Sequence, residues 1–156
     1  MNIYIGDGSK IKNRIRNQHC AGNVEGSSLR KHIALSMGFQ LVKEQRENGT
    51  WRTRIGVPNP NVGEQQITNY MQTGKWKFII CPSGISAKDF QFYAIQHIVP
   101  NPLLNINQGA WDANMLKTYQ NLLTQLENCQ AHNYNQTLLI PNESGVYLFI
   151  HDKDPI

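Results

Sequence analysis

Four cationic side chains occur in one short stretch near the start of the chain. They follow the strand-like segment "NIYIG" and would share one face of a helix, opposite the apolar Ile11 and Ile15: Lys10, Lys12, Arg14 and Arg16. Ammonium and guanidinium groups grouped in this way suit the binding of phosphate oxygens. The alternative interpretation is a solvated helix face, which is what most charge runs on helices are.

A second polar group could also bind phosphate. Ser27 or Ser28 is placed to start a helix in "GSSLRKHI", and Arg30 lies in its first turn. Backbone amides at a helix N-terminus with an arginine nearby form an anion site, although an ordinary helix start explains the same residues. The chain has 15 Lys and Arg against 11 Asp and Glu, a net charge of +4 that mildly favours a phosphate-bearing partner.

Other chemistries have less support in the sequence. The three cysteines are far apart and in no CxxC spacing, so neither a disulfide framework nor a zinc site is predicted. The histidines beyond position 19 show no mutual spacing typical of a metal site. No apolar run approaches the length of a membrane span, and the first residues lack the pattern of a signal peptide. We therefore expect a soluble, cytoplasmic protein without a membrane partner.

Strand and helix patterns alternate along the chain. Helices are predicted after Ser9, after Ser27 or Ser28, in "GEQQITNYMQTG", from Ser86 to about His97, and from Trp111 to about Cys129. Strands are predicted in "NIYIG", on both sides of Asn48-Gly49, in "KWKFIIC" and at 145–150. Trp51, with Arg52 and Arg54, either packs on the sheet, which is the preferred interpretation, or enters a DNA groove.

Two tripeptides lie at opposite ends of the chain, "YIG" at 4–6 and "GVY" at 145–147. When the end is read into the start, "GVYLFIHDKDPI" precedes "MNIYIGDGSKIKNRI", which resembles the catalytic hairpin and first helix of the GIY-YIG nuclease superfamily. Three further segments resemble a bacterial subgroup of that family: "RIRNQHCAGNVEGSSLRKHI", "GEQQITNYM" and "QFYAIQHIVPNPLLN". The resemblance covers about residues 1–108 and 143–151.

The resemblance implies one α/β (α+β) domain over residues 1–156, with a small, mainly antiparallel central sheet flanked by helices. The domain would be circularly permuted, with 143–151 as the displaced first strand and 110–132 as the connecting helix. Tyr147 and Tyr4 are then expected on neighbouring strands that face Arg14 and Gln91. A swapped dimer, in which the "GVY" strand pairs with a second copy, is the alternative.

The resemblance also implies a DNA endonuclease that hydrolyses a phosphodiester with one divalent metal ion, Mg²⁺ or Mn²⁺. Tyr4 and Tyr147 would help to deprotonate the attacking water if nearby cations lower the pKa of a phenol from about 10. Arg14 would hold phosphate oxygens and stabilise the transition state. His19 would contact the phosphate or assist proton transfer. It lies five residues past Arg14, whereas the family more often has a spacing of four, the position of Gln18.

The same resemblance predicts a set of DNA-binding residues: Lys10, Lys12, Arg16, Ser27, Ser28, Arg30 and Asn105. Asn105 matches the terminal asparagine of the family and is expected to orient the helix that carries position 91. The sequence leaves open whether the DNA is single- or double-stranded, which bases are read, and whether the protein is a monomer or a homodimer.

Position 91 departs from the family pattern. The family has a glutamate there as the metal ligand, and this chain has Gln91. An amide oxygen lacks the negative charge of a carboxylate and is a poor sole protein ligand for a hard cation, so we expect an inactive or strongly impaired chain. Two interpretations remain: a Glu-to-Gln inactivated nuclease, which is preferred, or a natural, non-catalytic nucleic-acid-binding protein with the same fold. Asp89 is the nearest carboxylate but should point to another face of the helix.

Overall fold

The computed structural model describes residues 1–105 and 109–156. The end of the segment that resembles the family, residues 106–108, lies outside the described residues. In the described part the strands are β1 (Asn2–Gly8), β2 (Leu41–Gln45), β3 (Trp51–Ile55), β4 (Lys75–Ile80), β5 (His132–Asn133) and β6 (Gly145–Ile150). The α-helices are α1 (Ile11–Asn13), α2 (Ser28–Ser36), α3 (Pro60–Thr73), α4 (Ala87–His97) and α5 (Leu116–Asn128). A π-helical segment (Arg14–Cys20) continues α1.

The central sheet has the order β1-β6-β4-β5, and all of its pairs are antiparallel. β6 comes last in the chain but lies between β1 and β4. Tyr147 is opposite Gly6 of β1 on one side and opposite Phe78 of β4 on the other. The predicted pairing of the "GVY" and "YIG" strands is therefore confirmed, and it occurs within one chain.

Each face of this sheet covers a separate hydrophobic core. Side chains alternate across a strand, so Tyr147 and Phe149 of β6 enter one core while Val146 and Leu148 enter the other. The first core includes residues of the π-helical segment, α2 and α3, and the second includes residues of α4 and α5. The result is the predicted α+β arrangement, with helices on both sides of a mainly antiparallel sheet.

The first helix differs from its prediction. Ser9 does not cap it: Lys10 occupies the N-cap position without a side-chain bond, and the Ile11 amide donates to the Glu143 carbonyl at 3.0 Å. A carbonyl from the loop before β6 thus replaces the expected side-chain acceptor. A local sequence pattern could not predict this contact, because Glu143 is far from Ile11 in the sequence. Ile11 and Ile15 are both fully buried, as their spacing predicted.

Two helix caps and one turn are confirmed, the helix predicted from Trp111 begins only at Ala113 as a 3-10 turn that leads into α5, and one packing prediction fails. Ser27 and Ser86 cap α2 and α4 through bonds to backbone amides, and Gly49 has a φ of +86° in the turn between β2 and β3. Trp51 on β3 is 60% exposed, so the prediction that it packs on the sheet is wrong. It lies at the end of β3 next to the turn, where the two-stranded ribbon extends beyond the core.

Candidate active site

Tyr147 lies directly over Gly6 on the neighbouring strand. A Cβ atom at Gly6 would be 2.3 Å from both Cζ and Oη of Tyr147. Side-chain atoms do not approach so closely, and only glycine leaves this space open. Tyr147 is fully buried and Tyr4 is 8% exposed. Position 6 of "YIG" must therefore be a glycine to leave room for the phenol of Tyr147, which lies 141 positions away in the sequence.

His19 is bonded to Tyr147. Its Nε2 lies 2.6 Å from the Tyr147 hydroxyl, and its Nδ1 lies 2.6 Å from Oγ of Ser27. Burial, and then the charges of Arg14 and Arg30, lower the pKa of His19 to about 3, so the imidazole is neutral near pH 7. A neutral imidazole has one donor and one acceptor nitrogen. When Nδ1–H donates to Ser27, Nε2 accepts from the hydroxyl of Tyr147.

The π-helical segment explains the unusual spacing of Arg14 and His19. Residues five apart lie on the same side of a π-helix because its hydrogen bonds join residues i and i+5. His19 therefore reaches Tyr147, while Gln18 accepts a hydrogen bond from Nη1 of Arg14 at 2.6 Å. The π-helical geometry thus brings His19 to Tyr147 although it lies five residues past Arg14.

Arg14 lines an open cleft of about 390 Å³. Among the described residues its charged side chains are Lys10, Arg14, Lys88 and a single carboxylate, Asp7. The ion pairs found in residues 1–105 and 109–156 include none of these three cations. Nε of Arg14 also has no acceptor in that part of the chain. The cleft therefore offers an excess of positive charge to an anion.

The phenols of this site have a raised pKa. Burial raises the pKa of Tyr147, the nearby Tyr4 adds to the effect, and Arg14 opposes it. Burial also raises the pKa of Tyr4, again against the charge of Arg14. Arg14 acts in the expected direction on both phenols, but desolvation outweighs the attraction and the net pKa of each is raised instead of lowered. Both phenols stay protonated near pH 7 and can move a proton only through a hydrogen bond such as that between Tyr147 and His19.

Gln91 and Asn105 bind the same carbonyl of the edge strand β1. Nε2 of Gln91 donates to the Ile5 carbonyl at 3.0 Å, and Nδ2 of Asn105 donates to the same oxygen at 2.9 Å. Oδ1 of Asn105 also accepts from the Ile5 amide at 2.7 Å. The two amides thus satisfy a free sheet edge and tie α4 to β1. A carboxylate at position 91 has no proton to donate to this carbonyl.

The residues near Gln91 do not fit a site for a divalent cation. Hard cations take several oxygen ligands, usually with carboxylates among them, and Gln91 offers only a neutral amide oxygen. In the described ranges no group of three or more His, Cys, Asp or Glu could hold a metal ion. Asp89 faces elsewhere, as predicted: its Oδ2 accepts from the Tyr119 hydroxyl and the Asp112 amide. No chemical step in this chain is assigned to a metal.

Some of the predicted DNA-binding residues have exposed side chains, and others form hydrogen bonds within the protein. Lys10 and Ser28 are exposed, and Lys12 is partly exposed. Arg16 is partly exposed, but it donates to the Tyr134 carbonyl and to Oγ1 of Thr137 and lies over the Tyr134 ring. Lys10 is the member of this set that lines the cleft.

Ser27, Arg30 and Asn105 instead bind groups within the protein, which corrects the prediction that they contact DNA. The fully buried Arg30 donates to the carbonyls of His19 and Glu64, to Oγ1 of Thr68, and to the carboxylate of Glu64 at 3.0 Å. Ser27 is 1% exposed and bonds both His19 and the Arg30 amide. The buried Ser27 and Arg30 thus hold the segment that carries His19 and are not accessible to a nucleic acid, whereas Asn105 bonds Ile5 of β1.

Two residues of the cleft, Asp7 and Lys88, were not predicted. Asp7 directly follows "YIG", and Lys88 precedes Gln91 by three residues, so both lay beside recognised positions. Residues three apart on a helix are neighbours on its surface, and this spacing was the available signal for Lys88.

Tyrosines on neighbouring antiparallel strands, with an imidazole, an arginine and a cationic cleft beside them, are the features of a nuclease catalytic domain. The family model described as the GIY-YIG catalytic domain matches residues 1–128, and the chain belongs to that family. It is therefore a nuclease domain, whose substrate is a nucleic acid. The match includes α5 and leaves β6 outside. No curated protein and no solved structure matches the chain. None of the described helices is long and apolar enough to cross a membrane.

Proposed function

We propose that the chain is a circularly permuted DNA endonuclease domain in a form that Gln91 inactivates. The observation that carries this proposal is the pairing of Gly6 with Tyr147 within one chain, together with the bond from Tyr147 to His19. The "GVY" strand follows the "YIG" strand in this chain, whereas the resemblance has it first. The pairing supports a permuted order of elements around the same site.

In this proposal the chain's own residues hold the phosphate and move one proton. Arg14 binds phosphate oxygens and stabilises the charge that develops in the transition state. The water oxygen bonds to phosphorus as the bond from phosphorus to the leaving oxygen breaks, and the leaving oxygen takes up a proton from solvent. The attacking water gives a proton to the Tyr147 oxygen while Tyr147 gives its own proton to Nε2 of His19. Ser27 accepts from Nδ1–H and keeps Nε2 free for this transfer. Mg²⁺ or Mn²⁺ enters the proposal only for a variant with a carboxylate at position 91.

The test is the Gln91→Glu variant, incubated with supercoiled plasmid and Mg²⁺ or Mn²⁺. We expect nicking by Gln91→Glu and none by the unmodified chain, because the new carboxylate supplies the missing negative charge. Gln66→Glu adds the same charge at an exposed position of α3 and should remain inactive. Arg14→Ala in the Gln91→Glu background should abolish nicking without loss of the fold. A folded Gln91→Glu variant that cuts nothing with either ion contradicts the catalytic proposal.

A non-catalytic nucleic-acid-binding protein is the second candidate. The bond from Gln91 to the Ile5 carbonyl favours it, because an amide at this position has a structural partner that a carboxylate could not replace. The gene discriminates between the two: a Gln codon at position 91 supports the binding protein, and a Glu codon supports an altered nuclease. Under the second candidate, Gln91→Glu should lose about 1 kcal/mol of stability and gain no cleavage.

A further inference from the structure

The cleft that Arg14 lines contains further cations. Lys88 lies on α4 three residues before Gln91, and it lines the same cleft as Arg14 and Lys10. Its Nζ lies 5.9 Å from the centre of the Phe92 ring. A cation–ring contact at an exposed site is weak, so the ammonium group can leave it for an anion in the cleft.

These cations are not neutralised by the carboxylate that lines the same cleft. Asp7 is the cleft's one acidic group among the described residues, and Arg14 and Lys88 both act on it electrostatically. Neither forms an ion pair with it within 4.0 Å, and Lys10 is likewise absent from the ion pairs of the described ranges. The cleft therefore keeps an excess of positive charge, and Lys88 carries part of it one helical turn before Gln91.

We propose that this chain binds the phosphate of its nucleic acid without a divalent cation, with the Lys88 ammonium group beside Arg14 supplying the charge next to position 91. The inference rests on the proposed function only in taking a nucleic acid as the ligand. Arg14 contributes directed guanidinium donors, and Lys88 contributes a mobile point charge. A carboxylate at position 91 would lie one helical turn from Lys88 and compete with the phosphate for it.

The test measures binding of fluorescein-labelled DNA, both single-stranded and duplex, by fluorescence anisotropy in EDTA and in Mg²⁺. The affinity of the unmodified chain should be the same within about twofold in both buffers. Lys88→Ala should lower it about five- to tenfold in EDTA, because one charge-assisted phosphate contact is lost. The matched control, Lys117→Ala, removes the same charge from an exposed position of α5 outside the cleft and should change affinity less than twofold.

The DNA affinity of the Gln91→Glu variant, unlike that of the unmodified chain, should depend on a divalent cation. Its affinity should fall in EDTA and recover in Mg²⁺, and Mn²⁺ titrated into it should bind, while Mn²⁺ titrated into the unmodified chain should not. The inference is overturned if EDTA weakens DNA binding by the unmodified chain, if Lys88→Ala and Lys117→Ala behave alike, or if the chain binds no DNA in either buffer. Absence of nicking by Gln91→Glu would count against the proposed function alone, because these binding measurements do not depend on cleavage.

Discussion

Replacement of Gly6 by alanine tests the contact between β1 and Tyr147. The new Cβ would lie 2.3 Å from Cζ and Oη of Tyr147 and 2.7 Å from Cε2. Carbon atoms pack at about 3.5–4.0 Å, so the phenol would have to move by about 1 Å or more. Tyr147 is fully buried against Trp76 and His19, with ring centroids 6.0 and 5.5 Å away. The ring therefore has little free space to move into.

The expected loss of stability has two parts. Overpacking of a core costs about 1–3 kcal/mol. A shift of this size also breaks the 2.6 Å bond from Tyr147 to His19 and leaves buried polar atoms without partners, which costs about 1–3 kcal/mol more. Gly6→Ala should thus lower the free energy of unfolding by about 2–6 kcal/mol. In the Gln91→Glu background it should also reduce plasmid nicking.

Urea unfolding followed by tryptophan fluorescence measures this loss. Two alanine variants serve as controls: Gly26→Ala meets no atom within 4 Å, and on β1 itself Gly8→Ala comes no closer than 3.4 Å, to Cδ of Arg14. Both should stay within about 0.5 kcal/mol of the unmodified chain. The reasoning is refuted if Gly6→Ala is as stable as these controls, because the phenol would then not occupy the space above Gly6.

Three further substitutions test the groups behind Tyr147. Arg30→Met should lower the free energy of unfolding by about 3–5 kcal/mol, since the Glu64 carboxylate loses its partner; lower DNA affinity with unchanged stability would contradict this structural role. The unmodified chain should lose up to about 1.4 kcal/mol of stability per pH unit as pH falls from 6.5 toward 3. Over this range His19 takes up a proton in the unfolded chain but stays neutral where it is buried in the folded chain. His19→Gln should remove that part of the slope, and parallel curves in urea titrations at several pH values would argue against it. Ser27→Ala should shift the imidazole ¹⁵N signals of His19, whereas Ser86→Ala, which removes the cap of α4, should leave them unchanged; equal spectra for both variants would exclude Ser27 as the group that sets the tautomer.

Local sequence signals were sufficient for most of the elements. Ser27, Ser86 and Gly49 mark helix starts and a turn because their preferences act over two or three residues, and all three hold in the structure. The pairing of "GVY" with "YIG" was also predictable, since the resemblance named two strands that need each other. Trp51 shows the limit of such reasoning, because residue type does not reveal whether a hairpin lies over the core or extends beyond it.

The sequence by itself determined the order of the elements and the two tyrosine strands, and it predicted a site that includes Arg14 and Gln91. Only the tertiary structure decided which nitrogen, hydroxyl and carbonyl groups form hydrogen bonds with one another. The bond from His19 to Tyr147 joins residues 128 positions apart, and it depends on a π-helical turn that no local pattern predicted. Likewise, the burial of Arg30 follows from tertiary packing, and the raised pKa of the phenols follows from desolvation. Desolvation depends on everything packed around a group, and so the chemistry of this site is a property of the folded chain.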